Sequence, residues 1–256
     1  MLLVIDVGNT QTLIGLYDKV DLTHHWRSST NAERTADEHA LLVSQFLDLA
    51  GLDIGAAVTG MAVSSVVPRI TAALRDMSER WLRVPTVVIE PGTRTGIPIL
   101  YENPKEVGAD RIANAVGAYD LYGGPTIVVD FGTATTLDAV SAKGEYLGGA
   151  IIPGIEISLD ALFGRAAALR RVELVEPRSV IGKTTIESIQ SGAVYGFTEQ
   201  VDGLVRRMEA ELGECTVVAT GGLSDLISPL STKIQHHDPW LTLHGLRIIY
   251  ERNHAR

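Results

Sequence analysis

A single cysteine in 256 residues leaves no internal disulfide to staple the fold. Cys215 sits in the apolar run Cys215-Thr-Val-Val-Ala and reads as a small buried hydrophobe, so a reducing cytoplasm is the expected setting. No cluster of Cys and His has zinc spacing. His24, His25, His236 and His237 come as adjacent pairs, which point to opposite faces of a strand and make poor joint metal ligands; they are expected at the surface. There is no Gly-x-Ser-x-Gly elbow of a hydrolase. Gly182-Lys-Thr-Thr185 looks like the end of a phosphate-binding P-loop, but that loop needs Gly at position 177 and Pro stands there. Basic runs are missing too. With 31 acidic against 22 basic side chains and a net charge of -9, a general affinity for nucleic acid or anionic membrane is excluded. No apolar stretch approaches the roughly 18 residues of a membrane span. The apolar N-terminus lacks a basic flank and reaches Asp6 almost at once, so it reads as a strand and not a signal peptide.

What the chain does have is a repeated sentence. Residues 4–13 read Val-Ile-Asp-Val-Gly-Asn-Thr-Gln-Thr-Leu, and residues 128–137 read Val-Val-Asp-Phe-Gly-Thr-Ala-Thr-Thr-Leu. Overlaid directly, Asp6 meets Asp130, Gly8 meets Gly132, Thr12 meets Thr136 and Leu13 meets Leu137. Each copy is an apolar strand that ends in Asp, turns on Gly and re-enters a strand through small polar residues. Such a turn can grip phosphate: Gly allows close approach, turn N–H groups bind oxygens, and the carboxylate holds a cation or its water shell. One copy would not separate this from an ordinary hairpin; two copies favour a two-domain nucleotide cleft. A composition of 45% hydrophobic and 21% charged residues supports a sizeable core.

The pattern between the repeats alternates strand and helix, which implies α/β layers. Strands are expected at 2–7 and 12–17. A helix follows with a Thr35/Glu38 capping box, an apolar stripe of Leu41, Leu42, Phe46 and Leu49, and a stop at Gly51. After a strand at Met61–Val67, Pro68 opens a second helix whose core stripe is Ile70, Ala73, Leu74, Met77 and Trp81. Val84–Ile89 is a strand, 91–104 a loop and Arg111–Tyr122 a helix, broken by Gly123-Gly124-Pro125. The second half should repeat the order: a hairpin through Leu137 to Tyr146, a turn at Gly148-Gly149, and helices near 154–170 and 184–212. A strand at Thr216–Thr220, a turn at Gly221-Gly222 and a terminal helix around Leu241–Arg252 complete it. Two domains follow, 1–120 and 121–256, each with one hairpin.

The two Asp-Gly hairpins resemble the phosphate-binding hairpins of the acetate and sugar kinase, heat-shock chaperone and actin superfamily. The Gly-rich turn in Val217-Val-Ala-Thr-Gly-Gly-Leu-Ser-Asp225 stands where that superfamily packs adenosine. Within it, Asp6-Val-Gly-Asn-Thr10, the segment Tyr101 to Asn114 with its Gly108-Ala-Asp-Arg111, the run Asp130 to Thr136 and Gly148-Gly-Ala-Ile-Ile-Pro-Gly154 together are similar to type III pantothenate kinase, over residues 1 to about 250. The resemblance implies two similar RNase H-like, actin-like ATPase domains, each a mixed sheet flanked by helices, with nucleotide between them. It implies a cytoplasmic homodimer, ATP with Mg2+, and K+ or NH4+. The reaction would be phosphorylation of pantothenate on its primary hydroxyl, the first step towards coenzyme A.

The residues can carry that chemistry. Phosphoryl transfer needs a proton acceptor, a phosphate clamp and in-line geometry. Asp110, at a helix start, can accept the hydroxyl proton, or it is simply a carboxylate favoured by the helix dipole. Arg111 suits the carboxylate of pantothenate, unless it forms only a surface pair with Asp110. Gly108 and Ala109 would let substrate approach the backbone; Tyr101 would cover it or is a loop aromatic. Asp6, Val7, Gly8, Asn9, Thr10, Gln11, Thr12 and Leu13 would hold the ATP phosphates, with Asp6 near Mg2+. The resemblance places the monovalent cation at Asp130, where a purely structural carboxylate is the rival, and ATP contact at Thr133. It puts Thr185 on pantothenate, across a dimer interface; a helix cap is a compatible role. Two other readings of the fold are a regulatory accessory factor without kinase activity and a polyphosphate-type phosphatase.

Overall fold

The computed structural model of the chain describes residues 1–166 and 168–254. It divides into two compact units, Met1–Asp120 with the segment that begins at Leu241, and Leu121–Trp240.

The first unit opens with three antiparallel strands, β1 (Leu2–Val7), β2 (Gln11–Asp18) and β3 (Asp21–Ser29). Helices α1 (Ala36–Leu49) and α2 (Ile54–Ala57) lead to β4 (Gly60–Ser65), then α3 (Pro68–Met77) to β5 (Thr86–Val88), and α4 (Ala109–Tyr122) reaches the boundary. The sheet runs β3-β2-β1-β4-β5, with β4 and β5 parallel to their neighbours. β1 is central, and Leu3, Val4, Ile5 and Val7 are all buried, which is why it reads as a continuous apolar run without alternation. On one face Leu3, Ile5 and Val7 join Val43 and Leu47 of α1 and Ile70, Leu74 and Met77 of α3. The capping box is present: the Thr35 N–H donates to Glu38 Oε2 at 2.7 Å and the Glu38 N–H to Thr35 Oγ1 at 3.3 Å.

In the second unit, β6 (Thr126–Phe131), β7 (Ala134–Val140) and β8 (Tyr146–Pro153) form the antiparallel part. After α5 (Ile155–Arg165) and the long α6 (Thr185–Leu212), β9 (Thr216–Thr220), α7 (Ser224–Ile227) and the short β10 (His236–His237) follow. The sheet order β10-β9-β6-β7-β8 reproduces that of the first unit strand for strand, with β9 and β10 parallel additions. Its core joins Ile127, Val129, Phe131, Val217 and Ala219 to Val194, Val201 and Val205 of α6. Cys215 is buried as expected.

The last helix, α8 (Leu241–His254), packs on β1, β2 and β4 of the first unit, not in the second domain where the 121–256 division put it. Burial is the reason. α8 and α4 meet at glycines: a Cβ on Gly245 would lie 1.8 Å from the Ala113 carbonyl, and one on Gly117 would lie 2.7 Å from the Leu241 carbonyl. Thr242 Oγ1 donates to Asn114 Oδ1 at 2.6 Å within this crossing.

Three smaller expectations are corrected. In α1 the buried positions are Ala36, His39, Val43 and Leu47, while Leu41 and Leu49 are exposed; the stripe is turned because Ala36, Val43 and Leu47 join the core of the sheet. Trp81 is 55% exposed, with its indole N–H on Asp37 Oδ1, because the helix has passed into a wider π turn over Ser78–Leu82. Gly148-Gly149 is not a turn but part of β8: a Cβ on Gly149 would lie 1.8 Å from the Leu137 carbonyl, and the β7–β8 register shifts at Ala139/Val140.

Candidate active site

The first Asp-Gly hairpin is built by β1 and β2. Asp6 pairs with Leu13 and Val7 with Thr12, and the Gly8 N–H closes the turn on the Gln11 carbonyl at 3.0 Å. Asn9, Thr10 and Gln11 are exposed at its tip, whereas Val7 and Thr12 are buried. Thr30, at the end of β3, braces this turn. Its hydroxyl donates to the Gly8 carbonyl at 2.8 Å and its N–H to the Thr10 carbonyl at 2.9 Å. With that proton committed, the 2.9 Å contact between Thr12 and Thr30 has Thr12 as donor. Nothing in the linear pattern marked Thr30, because its role depends on strand pairing.

In the second hairpin, Asp130 pairs with Thr136 and Phe131 with Thr135, and the Gly132 N–H reaches the Ala134 carbonyl at 3.1 Å. This loop is one residue shorter. Thr12 therefore corresponds to Thr135, and Leu13 to Thr136, which corrects the direct overlay of Thr12 on Thr136 and of Leu13 on Leu137. Burial agrees: Thr12 and Thr135 are buried, Leu13 and Thr136 half-buried. A one-residue slip exchanges the faces of a strand, so the two hairpins present different side chains beside their carboxylates.

Backbone from two further segments closes on the second hairpin. A Cβ on Gly154, the residue before α5, would lie 2.2 Å from the Thr133 carbonyl and 2.7 Å from that of Gly132. A Cβ on Gly221, whose φ is +92°, would lie 2.5 Å from Asp130 Oδ1 and 2.6 Å from the Phe131 nitrogen. Glycine is required at both places by approach, and at Gly221 by conformation as well. Asp130, Thr133, Gly154 and Gly221 thus form one backbone-lined corner of the second unit. Behind it, the fully buried Asp138 accepts from Tyr146 Oη at 2.7 Å and from Thr136 Oγ1 at 3.1 Å, a network absent from the expected site.

The Gly108-Ala-Asp-Arg111 segment opens α4. Asp110 folds back on the helix start, its Oδ1 accepting the Arg111 N–H at 2.8 Å. Gly108 makes room, since a Cβ there would sit 2.4 Å from the same oxygen. Ala109 and Asp110 are half-buried, Arg111 is only 8% exposed, and Tyr101 lies exposed in the preceding loop. Burial of Arg111 removes the reading of a simple surface pair. Asp110 lies in the first turn of α4, where the helix dipole favours a negative charge.

Thr185 stands at the start of α6. The cap of α6 is Thr184, whose Oγ1 accepts the Glu187 N–H at 3.1 Å, so Thr185 is the first helical residue and exposed. It lines a mostly apolar groove of about 450 Å³ between α5 and α6, with Leu159, Leu162, Ile189 and Phe197. The Glu187 carboxyl is held below its ordinary range, first by Arg178 and then by the Lys183 N–H. His236 and His237 are exposed, as expected, and both make contacts: His236 stacks on Tyr122 at 4.6 Å, and His237 Nε2 is 2.8 Å from Ser224 Oγ.

A sequence model described as type III pantothenate kinase matches residues 2–207. A type III pantothenate kinase of Streptomyces griseus is 56% identical over 264 residues, covering all of both chains. The chain belongs to the type III pantothenate kinase family. Two solved structures share the fold. A Campylobacter jejuni protein assigned to a Baf family of transcriptional activators is 19% identical with a TM-score of 0.63, covering 98% of each chain. A Sinorhizobium meliloti protein assigned as a 2-dehydro-3-deoxygalactonokinase is 12% identical with the same TM-score, covering 100% of this chain and 98% of that one. The type III pantothenate kinase match takes in both hairpins, the Gly-Ala-Asp-Arg segment and Thr185. Beyond residue 207, the full-length match to the Streptomyces relative spans the Gly221 turn and α8.

Proposed function

We propose that this type III pantothenate kinase transfers the terminal phosphoryl group of ATP to the primary hydroxyl of pantothenate, giving 4'-phosphopantothenate for coenzyme A synthesis. The observation that carries this is 56% identity over the full length with a curated kinase of that name, with each proposed site motif present in this chain. Asp110 is the acceptor of the hydroxyl proton: it is half-buried at the start of α4, with Oδ1 turned to the Arg111 N–H. Arg111 and Thr185 bind pantothenate together with Tyr101, Gly108 and Ala109, the guanidinium facing its carboxylate. Asp6 to Leu13 bind the ATP phosphates and Thr133 the nucleotide, through exposed turn backbone.

Asp6 and Asp130 fit the ions that such a reaction uses. Each is a single hard carboxylate at a strand end, which suits Mg2+ that keeps phosphate oxygens and water as its other ligands, and a monovalent ion beside them. Mg2+ at Asp6 and K+ or NH4+ at Asp130 would offset phosphate charge. A homodimer is supported by the exposed Ile151, Ile157, Leu162 and Ile186, of which Leu162 lines the same groove as Thr185.

The test is ADP release coupled to pantothenate addition, in potassium and again with sodium replacing it. Pantothenate-dependent turnover in potassium and a lower rate in sodium are expected. Absence of turnover in both salts overturns the kinase reading, and equal rates overturn only the cation site. Asp110→Asn should lose about a hundredfold or more in kcat with an unchanged melting temperature; normal turnover would remove Asp110 from its role.

A further inference from the structure

A serine, a histidine and an aspartate meet behind the Gly221-Gly222 turn, outside every role given above. Ser224 begins α7 and is fully buried. Its Oγ lies 2.5 Å from the Gly221 carbonyl and 2.8 Å from His237 Nε2, while His237 Nδ1 is 3.5 Å from Asp225 Oδ1. The order of atoms is that of a hydrolytic triad, but the proton count is not. A carbonyl has no hydrogen to give, so the Ser224 hydroxyl donates to Gly221, and Oγ must then accept from Nε2–H. A buried serine whose proton is committed to a carbonyl has no base to activate it as a nucleophile. What remains is a relay, His237 to Ser224 to the Gly221 carbonyl, which also accepts the Ser224 N–H at 3.3 Å.

Both ends of the relay are fixed. His237 lies in β10 opposite Ala219, the next N–H, from Asp238, donates to the Ala219 carbonyl at 2.9 Å, and His236 is stacked on Tyr122. At the other end, Gly221 presses on Asp130 and Phe131 at the distances given above. We propose that His237 and Ser224 are positioning residues for the nucleotide: through the Gly221 carbonyl they hold the Gly221-Gly222 turn against the strand end that carries Asp130. This rests on the reading that ATP is the donor and that this turn meets its adenosine.

The test uses the full-length protein with His237→Phe, His237→Gln and Ser224→Ala. Calorimetric binding of ATP without pantothenate, KM for each substrate, kcat and melting temperature are the readouts. Loss of this part-buried hydrogen bond should raise the ATP dissociation constant and KM about tenfold in His237→Phe and Ser224→Ala. KM for pantothenate should stay within about twofold, because the relay touches only the turn. His237→Gln keeps an N–H donor and should restore most of the affinity. Unchanged ATP binding in both deletion variants overturns the proposal. So does a common loss for ATP and pantothenate that follows a lowered melting temperature without rescue by Gln. If the wild-type protein binds ATP but does not phosphorylate pantothenate, the proposed function fails, while the ATP affinities of the variants still decide this relay.

Discussion

His39 is a side chain whose surroundings, not its identity, set its behaviour. It is 5% exposed on the inner face of α1, its Nε2 has no hydrogen-bond partner among the described residues, and its pKa is pushed down to about 4. Burial is the main cause, Arg34 adds to it, and Glu38 opposes it. The imidazole is therefore neutral in the native state down to about pH 4, whereas in the unfolded chain it takes a proton below its ordinary value of 6.5. The unfolded state binds the extra proton between those limits, so stability falls as pH drops from 6.5 towards 4, by at most about 1.4 kcal/mol per pH unit. His39→Leu should flatten the acid limb of melting temperature against pH, and parallel curves for the two proteins would contradict this. His39 sits three residues from Ala36 and four from Val43, at helical spacing, yet it was not part of the stripe expected from apolar residues alone. A histidine carries no mark in sequence of whether it will be buried neutral.

At the scale of elements, the two hairpins show where local pattern stops informing. Strand-Asp-x-Gly was legible because each strand's apolar run and its Gly turn are local. The loop lengths were not, since the closing bonds from Gly8 to Gln11 and from Gly132 to Ala134 differ by one residue, and only pairing across the hairpin reveals it. Likewise, Gly154 reads in sequence as a helix start, but its demand is imposed by the Thr133 carbonyl in the turn between β6 and β7. Gly154→Ala has to displace backbone and should cost about 1–3 kcal/mol, as overpacking does. It should also raise KM for ATP more than KM for pantothenate, because the displaced carbonyls belong to the turn of Asp130 and Thr133. A variant with unchanged melting temperature and unchanged KM for ATP would show that the turn yields freely.

For the whole molecule, the two units repeat one sheet order, but the chain does not divide into two consecutive halves. α8 returns to the first unit, where Gly245 and Gly117 let it cross α4 in backbone contact. A chain ending at Trp240 would lose Leu241, Leu243, Leu246 and Ile249, all fully buried, and uncover the face of β1, β2 and β4 beneath them. Each fully buried aliphatic side chain is worth about 1.5–3 kcal/mol, so loss of four exceeds the usual margin of a domain once their partners are exposed too. The truncated protein should lose amide-exchange protection in β1 and β4 and fail to melt cooperatively. Wild-type protection in those strands would refute the assignment of α8 to the first unit.

Sequence alone determined the strand and helix types, the two Asp-Gly turns, the Gly-Ala-Asp-Arg helix start and the family resemblance. Each of these is written in neighbouring residues, where propensity, capping and turn chemistry act. Tertiary structure alone decided the unequal loops, the brace at Thr30, the turn of α1 that buries His39, the relay from His237 to Gly221 and the return of α8. Those depend on pairing register and burial between distant segments, and the free energy that selects them appears only when the segments meet.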